Sequence, residues 1–90
     1  MLDFFQDACP PCHALEPRLE AFARRHLDEL RVYQIDIDEN AETPQRFAIM
    51  SIPTLILFRQ GDEVARLDGL IREDELEQAL ARTGASEKEA

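Results

Sequence analysis

The chain has two cysteines, Cys9 and Cys12, and both lie in the run Cys9-Pro10-Pro11-Cys12-His13. This spacing suits three chemistries: a redox dithiol, a c-type haem attachment site, or half of a zinc site. A redox dithiol needs one cysteine that ionises near neutral pH and a second within reach of the mixed disulfide. A helix that begins at this motif would meet both needs, because its free N–H groups favour a thiolate and an i, i+3 spacing puts both thiols on one face.

The zinc, haem and calcium interpretations each lack groups that they need. His26 is the only other histidine, thirteen residues beyond His13, or about 20 Å along a helix, too far to complete a zinc site. Haem attachment requires an export pathway, and the N-terminus shows no secretory signal. The acidic run Asp36, Asp38 and Glu39 lacks the glycine and distal glutamate of an EF-hand loop. We therefore expect neither a metal nor a bound cofactor.

The composition limits the possible partners. Ninety residues predict one domain with a sufficient apolar core, which leaves the cysteines available for chemistry. The formal net charge is -9, so nucleic acid and anionic membranes are not expected as partners, because both would repel the chain. The absence of a long apolar run and of a leader peptide predicts a cytoplasmic protein. In that compartment a close cysteine pair is more often redox-active or metal-binding than a static cross-link.

Hydrophobic periodicity predicts the elements that position the cysteines. Residues 1–5 are mostly apolar and predict a buried strand. From Pro11 to Leu30, apolar residues recur at helical spacing and predict an amphipathic helix of about five turns. Residues 31–37 alternate between the two faces of a strand.

The second half of the chain predicts a short helix, a hairpin and a closing helix. The run DENAETPQRFAIM, residues 38–50, indicates an acidic turn followed by a short helix. Two apolar strands in residues 51–69 are joined by a turn at residues 60–62, which predicts an antiparallel hairpin. A helix closes the domain, predicted as residues 1–83, and residues 84–90 form a polar tail. The order β-α-β-α-β-β-α predicts an α/β fold, a mixed four-stranded sheet with helices on both faces.

This order, with the Cys-x-x-Cys pair directly after the first strand, resembles the thioredoxin family over about residues 2 to 80. The segment DFFQDACPPC is similar to the family's DFWAxWCGPC, and SIPTLILFRQG is similar to xxIPTLxxFxxG. IDIDEN also resembles a family segment, and Pro17 and Gly69 fall at family proline and glycine positions. The cysteine pair together with a downstream Ile-Pro-Thr is a far more specific signal than the pair alone.

The resemblance implies a role for individual residues. Cys9 would be the nucleophile, Cys12 the resolving thiol, and Asp3 a buried carboxylate that exchanges a proton with Cys12. Pro53 would be a cis-proline beside the dithiol. The implied substrate-binding residues are Pro10, Pro11, Ile52, Pro53 and Thr54.

The implied activity is thiol-disulfide oxidoreduction. The protein would reduce protein disulfides without a cofactor and would serve electron transport and cell redox homeostasis. It would take electrons from an upstream reductase, such as thioredoxin reductase, and act as a monomer in the cytoplasm.

Pro10 departs from the family pattern, which has glycine there. A proline removes one N–H that could face the Cys9 sulfur, and Pro11 disfavours helical geometry at Pro10, so we expect the helix to begin one residue later. Fewer donors weaken thiolate stabilisation, whereas a stiff loop favours ring closure. The sequence leaves the sign of the change in reduction potential open.

Two further substitutions and the chain length also depart from the family. Ala8 replaces a tryptophan that commonly covers the dithiol, and Gln34 replaces a lysine that commonly neighbours the buried acid, which makes Asp3 easier to protonate. Members of ordinary size begin with an extra strand and helix, so residues 31–37 would form a sheet edge, across which a dimer could pair. These departures leave a second interpretation open, a redox sensor or peptide-binding domain with slow turnover.

Overall fold

A computed structural model of the protein describes residues 1–83, and the predicted polar tail, residues 84–90, lies outside them. The elements follow the predicted order. They are β1 (Leu2–Phe5), α1 (Pro10–Arg25), β2 (Tyr33–Asp36), α2 (Glu42–Arg46), β3 (Thr54–Arg59), β4 (Asp62–Asp68) and α3 (Glu73–Thr83).

The four strands form one mixed sheet in the order β2-β1-β3-β4. β1 pairs with β2 in parallel, and β3 runs antiparallel to both β1 and β4. The β3–β4 hairpin turns at Gln60 and Gly61, whose φ angles of 54° and 88° are both positive, as a type I′ turn requires. The predicted sheet is confirmed, and β2 lies at its edge.

Apolar side chains cover both faces of the sheet. β3 contributes to both, because successive side chains of a strand point to opposite faces. Leu55 and Leu57 join the core cluster beneath α1 and α3, whose other main members are Leu15, Leu19, Phe22, Leu76 and Leu80. On the opposite face, the ring of Phe47, which follows α2, lies 6.0 Å from Phe4 and 5.6 Å from Phe58 between centroids. Each such side chain contributes about 1.5–3 kcal/mol when it is fully buried.

The predicted bounds of α1 were wrong at both ends. The helix includes Pro10 because the first N–H groups of a helix have no acceptor within it, so two prolines cost no hydrogen bond there. It ends at Arg25, and the chain then turns, with the Leu30 N–H donating to the His26 carbonyl at 2.9 Å. Leu27 is 73% exposed and does not continue the apolar stripe, whereas Leu30 reaches the core by way of the turn.

Carboxylates from the turn after α1 and from α3 surround His26. Its Nδ1 lies 2.7 Å from Glu29 and its Nε2 lies 2.9 Å from Glu77 on α3. Beside it, Arg25 forms ion pairs with Glu77 and Glu73, so the cluster joins α1 to α3. Burial lowers the pKa of His26, but hydrogen bonds to both glutamates outweigh that effect, and the net pKa is raised. Both ring nitrogens can donate only when the imidazole is charged.

We expect His26→Gln to remove a pH-dependent part of the stability. A raised folded-state pKa stabilises the fold fully below the unfolded value of about 6.5, and this stabilisation is lost as pH rises through the folded value. At pH 6 the free energy of unfolding of the variant should be lower by on the order of 1 kcal/mol, the size expected for two partly exposed ion pairs. At pH 9 the difference should be smaller. Urea unfolding of both proteins at the two pH values measures it. A deficit that is equal at both would show that charge on His26 does not stabilise the fold.

Candidate active site

Cys9 and Cys12 are joined by a disulfide at the start of α1, with their Cα atoms 5.2 Å apart. Cys9 is the N-cap residue, with an extended backbone, and its Sγ accepts a hydrogen bond from the Cys12 N–H at 3.2 Å. Pro10 and Pro11 have no N–H, so the first N–H of the helix that can reach the sulfur belongs to Cys12. In the reduced protein this donor and the positive end of the helix dipole both favour a Cys9 thiolate.

The Ile52-Pro53-Thr54 segment enters β3 at the end of the sheet that bears the cysteine motif. Thr54 pairs with Phe4 near the end of β1, and the cysteine motif follows β1 after a short loop. The Ile52–Pro53 peptide bond is cis. Thr54 is buried, and its hydroxyl donates to the Ser51 carbonyl at 2.6 Å. The register therefore brings this segment and the dithiol to one end of the molecule.

Asp3 is a buried carboxylate with few hydrogen bonds. Only 4% of the residue is exposed. Its Oδ2 accepts a long hydrogen bond of 3.4 Å from the Gln34 amide, and its Oδ1 has no hydrogen-bond partner among residues 1–83. Burial is the main cause that raises the pKa of Asp3; the Gln34 hydrogen bond opposes it, and the charge of Glu16 adds to it.

A small cavity of about 40 Å³ is lined by both Asp3 and Cys12. Its lining includes Asp3, Cys12, His13, Glu16 and Gln34. The volume is enough for about one water molecule. The structure therefore brings the predicted acid and the predicted resolving cysteine to the same space, where a proton could pass between them.

Glu16 is a residue of this site that was not predicted from the sequence. Its position four residues after Cys12 was the available signal, because i and i+4 side chains lie on the same helix face. The opposing wall of the cavity comes from β1 and β2. Whether Glu16 lines the cavity therefore depends on how α1 packs on the sheet.

A sequence model of the thioredoxin family matches residues 1–82. The chain belongs to the thioredoxin family. It is 46% identical over 81 residues to a thioredoxin of Alicyclobacillus acidocaldarius subsp. acidocaldarius, a match that covers 90% of this chain and 77% of the relative. It is also 46% identical over 70 residues to a thioredoxin of Chlamydia pneumoniae, covering 78% of this chain and 68% of that one.

Solved thioredoxin structures have the same fold. The germline-specific thioredoxin Deadhead of Drosophila melanogaster superposes with a TM-score of 0.83 at 31% identity, covering 90% of this chain and 76% of that one. The thioredoxin of Fasciola hepatica superposes with a TM-score of 0.82 at 30% identity, covering 91% and 77%. The predicted thioredoxin-like fold is confirmed.

Family membership and the cysteine pair together establish the class of activity. Thioredoxins are protein-disulfide oxidoreductases, and this chain has its Cys9–Cys12 pair at the family's active-site position. The chain is thus a thiol-disulfide oxidoreductase. Within residues 1–83, no helix is long and apolar enough to cross a membrane, and no three His, Cys, Asp or Glu side chains group as a metal site.

Proposed function

We propose that this thioredoxin-family protein reduces disulfide bonds in protein substrates, with Cys9 as the nucleophile and Cys12 as the resolving thiol. The observation that best supports these roles is the hydrogen bond from the Cys12 N–H to the Cys9 sulfur at the start of α1. It stabilises negative charge on Cys9 in particular, and the lower the pKa of a cysteine, the more of it is thiolate at neutral pH.

The reaction would take two exchange steps. The Cys9 thiolate attacks one sulfur of the substrate disulfide, which forms a mixed disulfide and releases the other substrate sulfur as a thiolate. Cys12 then loses its proton and attacks the Cys9 sulfur, which breaks the bond to the substrate and forms the Cys9–Cys12 disulfide. The two electrons of the dithiol pass to the substrate, and a reductase must return the pair to the thiol state.

Asp3 would accept the proton of Cys12 in the second step. Two observations support this role: the shared cavity, and the burial that raises the pKa of Asp3 toward the range where thiols titrate. Proton exchange is most efficient when the acid and base have pKa values near the working pH.

The substrate would bind across the end of the sheet that bears the dithiol. We assign its contacts to Pro10, Pro11, Ile52, Pro53 and Thr54. Pro10 and Pro11 are both exposed beside Cys9, whereas Pro53 and Thr54 are buried. These two would act by shaping the turn before β3, which Thr54 fixes through its bond to Ser51.

We infer that the protein works in the cytoplasm. A cytoplasmic thioredoxin reductase would supply electrons, since reducing disulfides catalytically needs a continuous donor. The protein would act as a monomer, because both edge strands of the sheet limit pairing between chains: β2 is only four residues long, and the seven-residue β4 carries the charged side chains of Asp62, Glu63, Arg66 and Asp68.

Turnover separates this function from that of a redox sensor or peptide-binding domain. With dithiothreitol as the reductant and insulin as a disulfide-bonded substrate, a catalytic amount of the protein should reduce many equivalents of insulin. A sensor would instead be oxidised once and stop, at no more than one equivalent. Stoichiometric reduction alone would therefore refute the enzymatic proposal in favour of the sensor.

A further inference from the structure

Glu16 lies between the cavity of Asp3 and the outer surface. Its side chain is exposed, yet it lines the 40 Å³ cavity together with Asp3 and Cys12. Glu16 and Gln34 also line a groove of about 500 Å³ between α1 and β2, which Glu20 borders further along the helix. Glu16 and Gln34 therefore form the wall between the inner cavity and the outer groove.

The charges around Asp3 make a carboxylate at this wall important. The ionisable side chains that line its cavity are Asp7 from the loop after β1, and Cys12, His13 and Glu16 from α1. β2 contributes the neutral Gln34, and among residues 1–83 no lysine or arginine lines this cavity. Within the described part of the chain, Asp3 therefore ionises without a lysine or arginine in its cavity, and a negative Glu16 repels the charge that forms.

We propose that Glu16 is a positioning residue for proton transfer, which sets the pH range in which Asp3 can take a proton from Cys12. This proposal rests on the role of Asp3 given above. A second carboxylate on the same small cavity keeps the proton on Asp3 to a higher pH, because a negative charge nearby disfavours the ionised form of a carboxyl group.

The charge state of Asp3 controls the second exchange step, in which Cys12 attacks the mixed disulfide. Asp3 can accept a proton from the Cys12 thiol only when it is ionised, so the step is slow at low pH and speeds up as Asp3 loses its own proton. After the transfer, Asp3 must give that proton to solvent, and the wall formed by Glu16 and Gln34 is where the cavity adjoins the outer groove. Removing the charge of Glu16 should move the pH dependence of the rate of this step toward lower pH.

Glu16→Gln tests this, because it removes the charge and keeps the size of the side chain. The carboxyl carbon of Asp3 is titrated by ¹³C NMR in the reduced protein, and the decay of the mixed disulfide is followed in single-turnover reactions across the same pH range. Both midpoints should shift to lower pH by a similar amount. Glu20→Gln is the matched control: it removes one charge from the same helix, outside the cavity, and should move neither midpoint.

Two outcomes would overturn the proposal. One is an Asp3 titration that Glu16→Gln leaves unchanged; the other is an equal shift in Glu16→Gln and Glu20→Gln, which would mean a general effect of net charge. Asp3→Asn distinguishes these from failure of the proposed function. If that variant slows the decay of the mixed disulfide, the role of Asp3 stands whatever Glu16 does; if it does not, the proton role of Asp3 fails, and the inference about Glu16 fails with it.

Discussion

Replacing Cys9 with serine is expected to reduce catalysed disulfide reduction to the rate of dithiothreitol alone. A serine hydroxyl does not form a disulfide, so neither exchange step can take place. The fold should survive because Cys9 is the N-cap of α1 and serine is among the preferred N-cap residues. Its hydroxyl can accept the Cys12 N–H in place of the sulfur.

Cys12→Ser is the informative counterpart. It leaves the nucleophile in place and removes the resolving thiol, so the reaction should stop at the mixed disulfide. Mass spectrometry should show one substrate chain attached to Cys9 in Cys12→Ser and none in Cys9→Ser. Urea unfolding of the reduced proteins checks that both variants remain folded.

The opposite pattern of adducts would reverse the assignment of the two cysteines. If Cys9→Ser formed a stable adduct through Cys12 and Cys12→Ser formed none, Cys12 would be the attacking thiol. The burial of both residues makes this a fair test, since only 5% of Cys9 and 8% of Cys12 is exposed in the disulfide form.

Local features of the chain could be predicted from the sequence. The cysteine pair at a helix start follows from two prolines and a helical apolar repeat. The hairpin follows from the Gln60-Gly61 turn between two apolar runs. Each of these signals is contained in a few consecutive residues.

Contacts between distant residues were harder to predict. The bond between His26 and Glu77 joins positions 51 residues apart, and no sequence pattern indicates it. Likewise, Glu16 and Asp3 line the same cavity because of how α1 packs against β1. The end of α1 was missed for a different reason: Leu27 and Leu30 fit the helical repeat, but the turn after Arg25 exposes one and buries the other.

We expect Asp3→Asn to stabilise the folded protein at pH values above the folded-state pKa of Asp3. An ionised Asp3 is buried, and one of its oxygens has no hydrogen-bond partner among residues 1–83. Leaving such a group unsatisfied costs about 1–3 kcal/mol. Asparagine keeps the shape and can still accept the Gln34 hydrogen bond, and its other polar atom stays unpaired as in the wild type. The variant should therefore recover only the part of the cost that is due to the charge, on the order of 1 kcal/mol in the free energy of unfolding.

The gain in stability of Asp3→Asn should increase with pH. Burial, opposed by the Gln34 hydrogen bond and aided by the charge of Glu16, raises the pKa of Asp3 above its ordinary value. The folded protein therefore binds more protons than the unfolded chain, and its stability falls as pH rises from the unfolded to the folded pKa. The advantage of Asp3→Asn should be smallest near pH 3, grow across that window and then stay constant. Urea unfolding at several pH values measures it, and the exposed substitution Asp62→Asn controls for the loss of one charge.

The same variant should resolve mixed disulfides more slowly, because an amide cannot accept the proton of Cys12. A gain in stability together with a loss in rate would mean that the buried carboxylate is kept for catalysis at a cost to the fold. If Asp3→Asn were instead less stable at every pH, the hydrogen bond to Gln34 would outweigh the cost of burying the charge, and Asp3 would have a structural role. If stability rose and the rate did not change, the proton of Cys12 would leave by another route, directly to water through the wall formed by Glu16 and Gln34.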